Sequence, residues 1–135
     1  MIERYQDADF TVFALSDGAS IFDRKVFPDL TAAHCDQLLA QAGESDIRTE
    51  FNAYLIGYGD QYALVDTGCG ALFGPKCGKV PSLLAEIGVS PNAITTLFMT
   101  HLHGDHCGGA LDQGRGLTQP HAGETPYAPM QCERL

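Results

Sequence analysis

The chain has 135 residues, of which 44% are hydrophobic and 19% are charged, so its length and composition predict one folded globular domain with one core. Seventeen acidic residues against eight Lys and Arg give a net charge of −9, which argues against nucleic acid as a partner. The charged N-terminal stretch MIERYQDADF cannot serve as a signal peptide and no apolar run is long enough for a membrane span, so we expect a cytoplasmic protein without a membrane partner.

The first predicted element is a β-hairpin. Residues 10–18 and 19–23 are rich in β-forming residues and meet at Asp17-Gly18, a pair that is typical of tight turns. We therefore expect the chain to reverse its direction at this pair.

The next segment, residues 28–43, predicts a helix. Asp29 or Thr31 can cap its N-terminus, and Gly43 can end it. His34 lies within this helix, away from other histidines, and we interpret it as a surface or hydrogen-bonded residue, not as a metal ligand.

Alternating strands and helices are predicted for the middle of the chain. Two apolar strands, 51–56 and 62–66, flank a Gly-Tyr-Gly-Asp turn and predict a second hairpin. Residues 79–91 predict a short helix, and residues 93–99 predict a buried strand. This order favours an α/β architecture.

The final residues, 113–135, contain several glycines and prolines and show neither a helical nor a strand period. They predict an irregular tail that differs in character from residues 1–112. The five cysteines form no CxxC pair, and we interpret most of them as reduced thiols: Cys35, Cys69, Cys77, Cys107 and Cys132.

Three histidines and an aspartate follow the last predicted strand within six positions, in the sequence THLHGDH. His101 and His103 are two residues apart, so in an extended segment their side chains point the same way. Gly104 permits a bend that turns Asp105 and His106 toward a second, adjacent point. Imidazole and carboxylate groups are ligands of zinc and similar divalent ions, and water held by two such ions is a strong nucleophile. The alternative, a solvated polar turn, leaves this density of ligands without a purpose.

These residues also carry a family resemblance. THLHGDH at 100–106 resembles the HxHxDH signature of the metallo-β-lactamase fold superfamily, and LVDTG at 64–68 is similar to the strand end that precedes the metal loop there. The sequence of residues 66–111 resembles the branch that contains methyl parathion hydrolase and related lactonases, and the resemblance extends back to residue 10.

The resemblance implies an αββα sandwich that holds two zinc ions and hydrolyses small esters, lactones, thioesters, β-lactams or phosphotriesters. Carried over by position, His101 and His103 bind the first zinc and Asp105 and His106 the second. Asp105 also becomes the candidate catalytic residue, exchanging a proton with the water or the leaving group. Asp66 matches the aspartate that supports the metal ligands from behind.

The family takes its remaining metal ligands from a second half of the sandwich. Here only His121 follows the motif, and it lies closer than the family's next ligand and in the irregular tail, so we do not expect it to bind metal. We therefore expect residues 1–112 to form the N-terminal half of the domain, as in a truncated, frameshifted or fragmentary chain, with one zinc or none. The sheet face that lacks its second layer would favour self-association.

Two other functions remain open. The chain can be a non-catalytic remnant that binds zinc weakly. Alternatively, Asp66-Thr67-Gly68 can be read as the active-site triplet of an aspartic protease, although no second element of that family follows and the metal motif would have no role. Cys107 adjoins His106, and we interpret it as a packing residue and not as a nucleophile.

Overall fold

A computed structural model describes residues 1–111, which form one five-stranded sheet and short helices. The strands lie in chain order in the sheet; the first four pair antiparallel, and the fifth is parallel to the fourth. The predicted α/β class is confirmed. The strands are β1 (Ile2–Asp7), β2 (Phe10–Phe22), β3 (Ile47–Tyr58), β4 (Gln61–Val65) and β5 (Ile94–Phe98).

The helices are α1 (Ala32–Gln41), α2 (Val80–Glu86) and α3 (Gly104–Cys107), with 3₁₀ turns at Arg24–Val26, Gly74–Lys76, Pro91–Ala93 and Gly108–Leu111. Over the described residues, none of the helices has the length and apolar character needed to cross a membrane. The predicted tail lies outside the part of the chain that the structure describes.

The hairpin predicted at Asp17-Gly18 is wrong. Strand β2 runs through this pair without turning, and its pairing with β3 shifts between Ser16 and Gly18 at a β-bulge. The true hairpin partner of β2 is β1, which the charged N-terminal sequence gave no reason to expect. Asp17 is therefore not exposed in a turn; its side chain lies in the interior of the protein.

Helix α1 confirms one of the two predicted caps. The Thr31 side chain accepts a hydrogen bond from the His34 backbone N–H at 3.2 Å, and Gly43 follows the helix with φ of 76°. The Arg24 side chain forms an ion pair with Asp36 and so fastens the preceding turn to this helix. His34 is exposed on α1, as the sequence predicted.

The second predicted hairpin is confirmed, with Gly59 and Asp60 as the turn between β3 and β4. From the end of β4 at Val65 the chain crosses through α2 and returns as β5 beside β4. The parallel β4–β5 pair therefore brings the ends of both strands to the same edge of the sheet. Both of the segments identified as a metal loop and its support begin at this edge.

The two faces of the sheet differ in their cover. One face packs against α2 and forms the main core, with Leu15, Ala53, Leu55, Leu64, Val80 and Leu84 fully buried. The register places alternate residues on the opposite face, and Phe10, Tyr54, Tyr58 and Phe98 there each expose more than two fifths of their surface. We call this second side the open face.

Candidate metal centre

The motif histidines follow β5 and gather at the edge of the sheet. His103 is in an extended conformation, with φ of −79° and ψ of 154°, at the start of α3. The ring centres of His101 and His103 are 4.7 Å apart, and those of His101 and His106 are 3.9 Å apart. The structure thus places His101 near His103, as their spacing predicted, but His101 lies even closer to His106, which was expected to turn toward a second point.

Asp105 and His106 lie side by side, with one potential metal-binding atom of each near the other. The distance between Asp105 Oδ2 and His106 Nε2 is 3.2 Å, and both side chains are about one quarter exposed. Two ligands that bind one tetrahedral zinc ion at about 2.0–2.2 Å are separated by roughly 3.3 Å, so this spacing fits such a pair. This distance accounts for two ligands of a tetrahedral zinc ion. The other two coordination positions need further ligands.

Asp66 lies directly behind His106. Its residue follows β4 with a φ of 58°, and its side chain is buried. Oδ2 of Asp66 lies 2.8 Å from His106 Nδ1, while the Thr100 N–H donates to Oδ1 and the Thr100 hydroxyl donates to Oδ2, both at 2.8 Å. Asp66 therefore holds a histidine from behind, as its match to the family's supporting aspartate implies.

The charge of Asp66 determines which nitrogen of His106 is available. Burial raises the pKa of Asp66, but the hydrogen bonds with His106 and Thr100 outweigh it and bring that pKa below its usual value. An ionised Asp66 favours the proton on Nδ1 of His106, and in a neutral ring with that proton it is Nε2, the nitrogen that faces Asp105, that can bind a metal. Because the described partners of Asp66 are a histidine and a threonine, the carboxylate dyad of the aspartic-protease reading gains no support.

Thr100 is a residue that the sequence reasoning did not single out. Besides its two bonds to Asp66, its hydroxyl lies 3.1 Å from His101 Nδ1. One threonine thus connects the supporting aspartate with the first histidine of the motif. The only local signal for this role was the position of Thr100 at the start of THLHGDH. Its hydrogen bonds to Asp66 join residues 34 positions apart in the sequence.

Asp17 is a second residue whose role was missed. Its fully buried carboxylate accepts backbone hydrogen bonds from Cys69 at 2.9 Å, Gly78 at 3.0 Å and Val80 at 2.9 Å. These bonds fix both ends of the segment between β4 and α2. We call residues 66–70, at the start of that segment, the support loop.

The support loop packs directly against α3. The Thr67 N–H donates to the His106 carbonyl at 2.7 Å, and the Gly109 N–H donates to the Gly68 carbonyl at 3.1 Å. A Cβ atom at Gly109 would overlap the Thr67 carbonyl oxygen, so this approach requires glycine. The backbone room that the sequence assigned to the glycines after the motif is used for this contact.

The described residues do not by themselves complete a metal site. Within residues 1–111, no group of three or more His, Cys, Asp or Glu side chains is placed to hold one metal ion. His121 lies outside the described residues. The side chain of Cys107, the residue after His106, is partly buried. Its packing role stays a prediction.

The chain has clear relatives. The chain belongs to the metallo-beta-lactamase superfamily, whose family model matches residues 51–127. Among curated proteins it is similar to the N-acyl homoserine lactonase AiiB of Agrobacterium fabrum (strain C58 / ATCC 33970), with 35% identity over 42% of this chain and 27% of the lactonase.

Two solved structures resemble the fold. The hydrolase AbOPH of the beta lactamase superfamily matches with a TM-score of 0.70 and 31% identity, over 78% of this chain and 37% of that chain. AidC, a dizinc quorum-quenching lactonase solved with a product, N-hexnoyl-L-homoserine, matches with a TM-score of 0.75 and 25% identity, over 83% of this chain and 40% of that chain. The chain thus spans less than half the length of these relatives and has a partial metallo-β-lactamase fold, as predicted.

Proposed function

We propose that this chain carries part of the zinc site of a hydrolase that opens lactones or related esters. The observation that carries the proposal is the arrangement of Asp66, His106 and Asp105, in which a buried carboxylate holds one nitrogen of the imidazole and the other nitrogen faces a second carboxylate. That order of support and ligand is the one that metal-binding histidines use.

The donor chemistry fits zinc. Imidazole nitrogens and a carboxylate are ordinary zinc ligands, and Asp105 with His106 would hold one ion while His101 with His103 would hold another. When bound, zinc acts as a Lewis acid that polarises the ester, lactone or phosphotriester group and promotes attack by water. The contribution of this chain is to orient the donors through Asp66 and Thr100.

Asp105 is the proposed catalytic residue. Its carboxylate lies 3.2 Å from His106 Nε2 and is about one quarter exposed, so a small molecule can approach it. It would take a proton from the attacking water or return one to the leaving alkoxide. Lactones are the favoured substrate class because two of the similar proteins, AiiB and AidC, are described as lactonases.

The test measures zinc content and hydrolysis on the same samples. Zinc-loaded protein, chelator-treated protein and Asp105→Asn are compared on an N-acyl homoserine lactone and on an aryl ester. The proposal expects turnover that chelator removes and zinc restores, and a loss in Asp105→Asn that exceeds its loss of zinc. Turnover that survives chelation would contradict it.

A second candidate is a zinc-binding chain without activity. It is favoured by the ligand count, because four motif donors divided between two ions leave each ion short of a tetrahedral set. On this alternative the chain binds zinc weakly, and His106→Ala binds less, yet neither substrate is hydrolysed at any zinc concentration. The paired measurements above separate the two candidates.

We also propose that the open face mediates self-association. Its aromatic residues Phe10 and Tyr58 stack at 4.8 Å in one row of the sheet, and Tyr54 and Phe98 flank Val65 in another. Exposed apolar patches of this kind are sites of association between chains. A second copy of this chain, packed face to face, is the expected partner.

A further inference from the structure

Two buried cysteines lie outside the histidine cluster, Cys69 in the support loop and Cys77 before α2. Cys69 and Cys77 belong to one buried cluster together with Phe51. A single oxygen, Asp17 Oδ2, accepts hydrogen bonds from the backbone of Cys69 at 2.9 Å and from that of Gly78 at 3.0 Å. Both bonds keep Cys69 close to the peptide bond that follows Cys77. A disulfide requires such neighbouring backbones, since the Cα atoms it joins lie about 4.4–6.8 Å apart.

We propose that Cys69 and Cys77 form a site of reversible disulfide modification that responds to small-molecule disulfides such as oxidised glutathione. Their side chains pack in one buried cluster that contains no other cysteine among the described residues. Asp17 binds the backbone of Cys69 and of Gly78, the residue after Cys77, so the proposed bond joins two segments that are already neighbours. This site is independent of the proposed hydrolysis, which assigns no role to either thiol.

The chemistry proceeds in two exchanges. One thiol gives up its proton and bonds to a sulfur of the oxidised glutathione, whose other sulfur leaves as reduced glutathione. The second thiol then gives up its proton and bonds to the first, which releases the second glutathione. One S–S bond forms and one breaks, the two cysteines are oxidised, and the reagent is reduced to two thiols.

Cys77 is the thiol that reacts first. It is 8% exposed and lines a cavity of about 340 Å³ together with Thr67, Gly74 and Pro81, whereas Cys69 is 0% exposed. Burial, and then the neighbouring Cys77, raise the pKa of Cys69, so this thiol is a poor nucleophile toward a reagent in solution. Its proximity to Cys77 suits it for the second, internal exchange.

The modification would act on the support loop. Cys69 lies in that loop, which donates from Thr67 to the His106 carbonyl and accepts from Gly109. A disulfide would tie the loop to the segment before α2 and restrict the unfolded chain between the two cysteines. We expect oxidation to raise the melting temperature by on the order of 10 °C.

The cysteines can be assigned directly, because each of the five lies in a different tryptic peptide. Native 135-residue protein is incubated with oxidised glutathione, alkylated, digested with trypsin without reduction and mapped by mass spectrometry. The proposal expects the tripeptide 77–79 to be linked to the peptide 49–76, and the link to disappear on reduction. Glutathione that remains on Cys77, a link from Cys77 to any other peptide, or unmodified thiols at both positions would overturn it.

Melting curves give the second readout. Oxidised wild-type protein should melt above its reduced form, and this difference should vanish in Cys69→Ala and in Cys77→Ala. Cys35→Ala removes a buried cysteine of α1 and is the matched control that should keep the difference. A difference that persists in Cys69→Ala would contradict the proposal, and the wild-type peptide map decides the matter even if a variant fails to fold.

Discussion

Replacement of Asp17 should destabilise the protein more than any exposed substitution, although the residue lies far from the motif in sequence. The carboxylate is fully buried and accepts hydrogen bonds from the backbone N–H groups of Cys69, Gly78 and Val80. Asp17→Ala leaves all three donors without an acceptor. A buried donor without a partner costs about 1–3 kcal/mol, so we expect the free energy of unfolding to fall by at least about 3 kcal/mol.

Asp17→Asn should have a smaller effect, because the amide keeps one acceptor. Its oxygen can replace Oδ2 and receive the Cys69 and Gly78 N–H groups, but its NH₂ group then faces the Val80 N–H. The Val80 N–H loses its acceptor and the buried NH₂ group gains none, which predicts a loss of at least about 2 kcal/mol.

Urea unfolding of the two variants and of Asp9→Asn, an exposed control, measures this series. The control should stay within about 0.5 kcal/mol of the wild type. If Asp17→Ala unfolded within about 1 kcal/mol of the wild type, the three backbone bonds would not stabilise the segment between β4 and α2, and the reasoning would be refuted.

Three further predictions concern pH, association and activity. Because the pKa of Asp66 is lowered in the folded protein, the stability that its charge contributes is present above about pH 4 and is lost as the pH falls through the lowered pKa. Acid unfolding should therefore depend less steeply on pH in Asp66→Asn than in the wild type. An unchanged dependence on pH would contradict this prediction. Light scattering should find the wild type associated and a Tyr54→Lys, Phe98→Lys variant less so, whereas a monodisperse wild-type monomer would contradict a role for the open face. If zinc-dependent hydrolysis is found, His103→Ala should lower it by at least about 10- to 100-fold and Cys107→Ser should leave it nearly unchanged; loss of turnover in the cysteine variant alone would point to a thiol nucleophile.

The features that the sequence predicted correctly depend on local patterns. The β3–β4 hairpin follows from two apolar strands around a glycine turn, and Thr31 caps its helix three residues before the N–H that it accepts. The convergence of the histidines follows from their spacing of two at a strand end.

The features that it missed depend on contacts between distant segments. Asp17-Gly18 is a pair typical of turns, but β2 pairs with β3 on both sides of it and continues as one strand. The Asp17 carboxylate accepts hydrogen bonds from residues more than 50 positions away. No sequence pattern within residues 10–23 indicates these hydrogen-bond partners. Strand β1 was missed because its charged residues lack the alternation of a half-buried strand.

Zinc binding by the motif is the central claim, and metal content after dialysis tests it most directly. Wild-type protein, His106→Ala, Asp66→Asn and the exposed control His34→Ala are loaded with zinc, dialysed and measured by mass spectrometry for zinc per chain. We predict that the wild type retains zinc at no more than about one ion per chain and that His34→Ala retains the same amount. His106→Ala should lose the zinc, and Asp66→Asn should retain less than the wild type, because loss of such a supporting group weakens metal affinity about 10- to 100-fold. Zinc retained in His106→Ala at the wild-type level, or no zinc bound by the wild type, would contradict the claim.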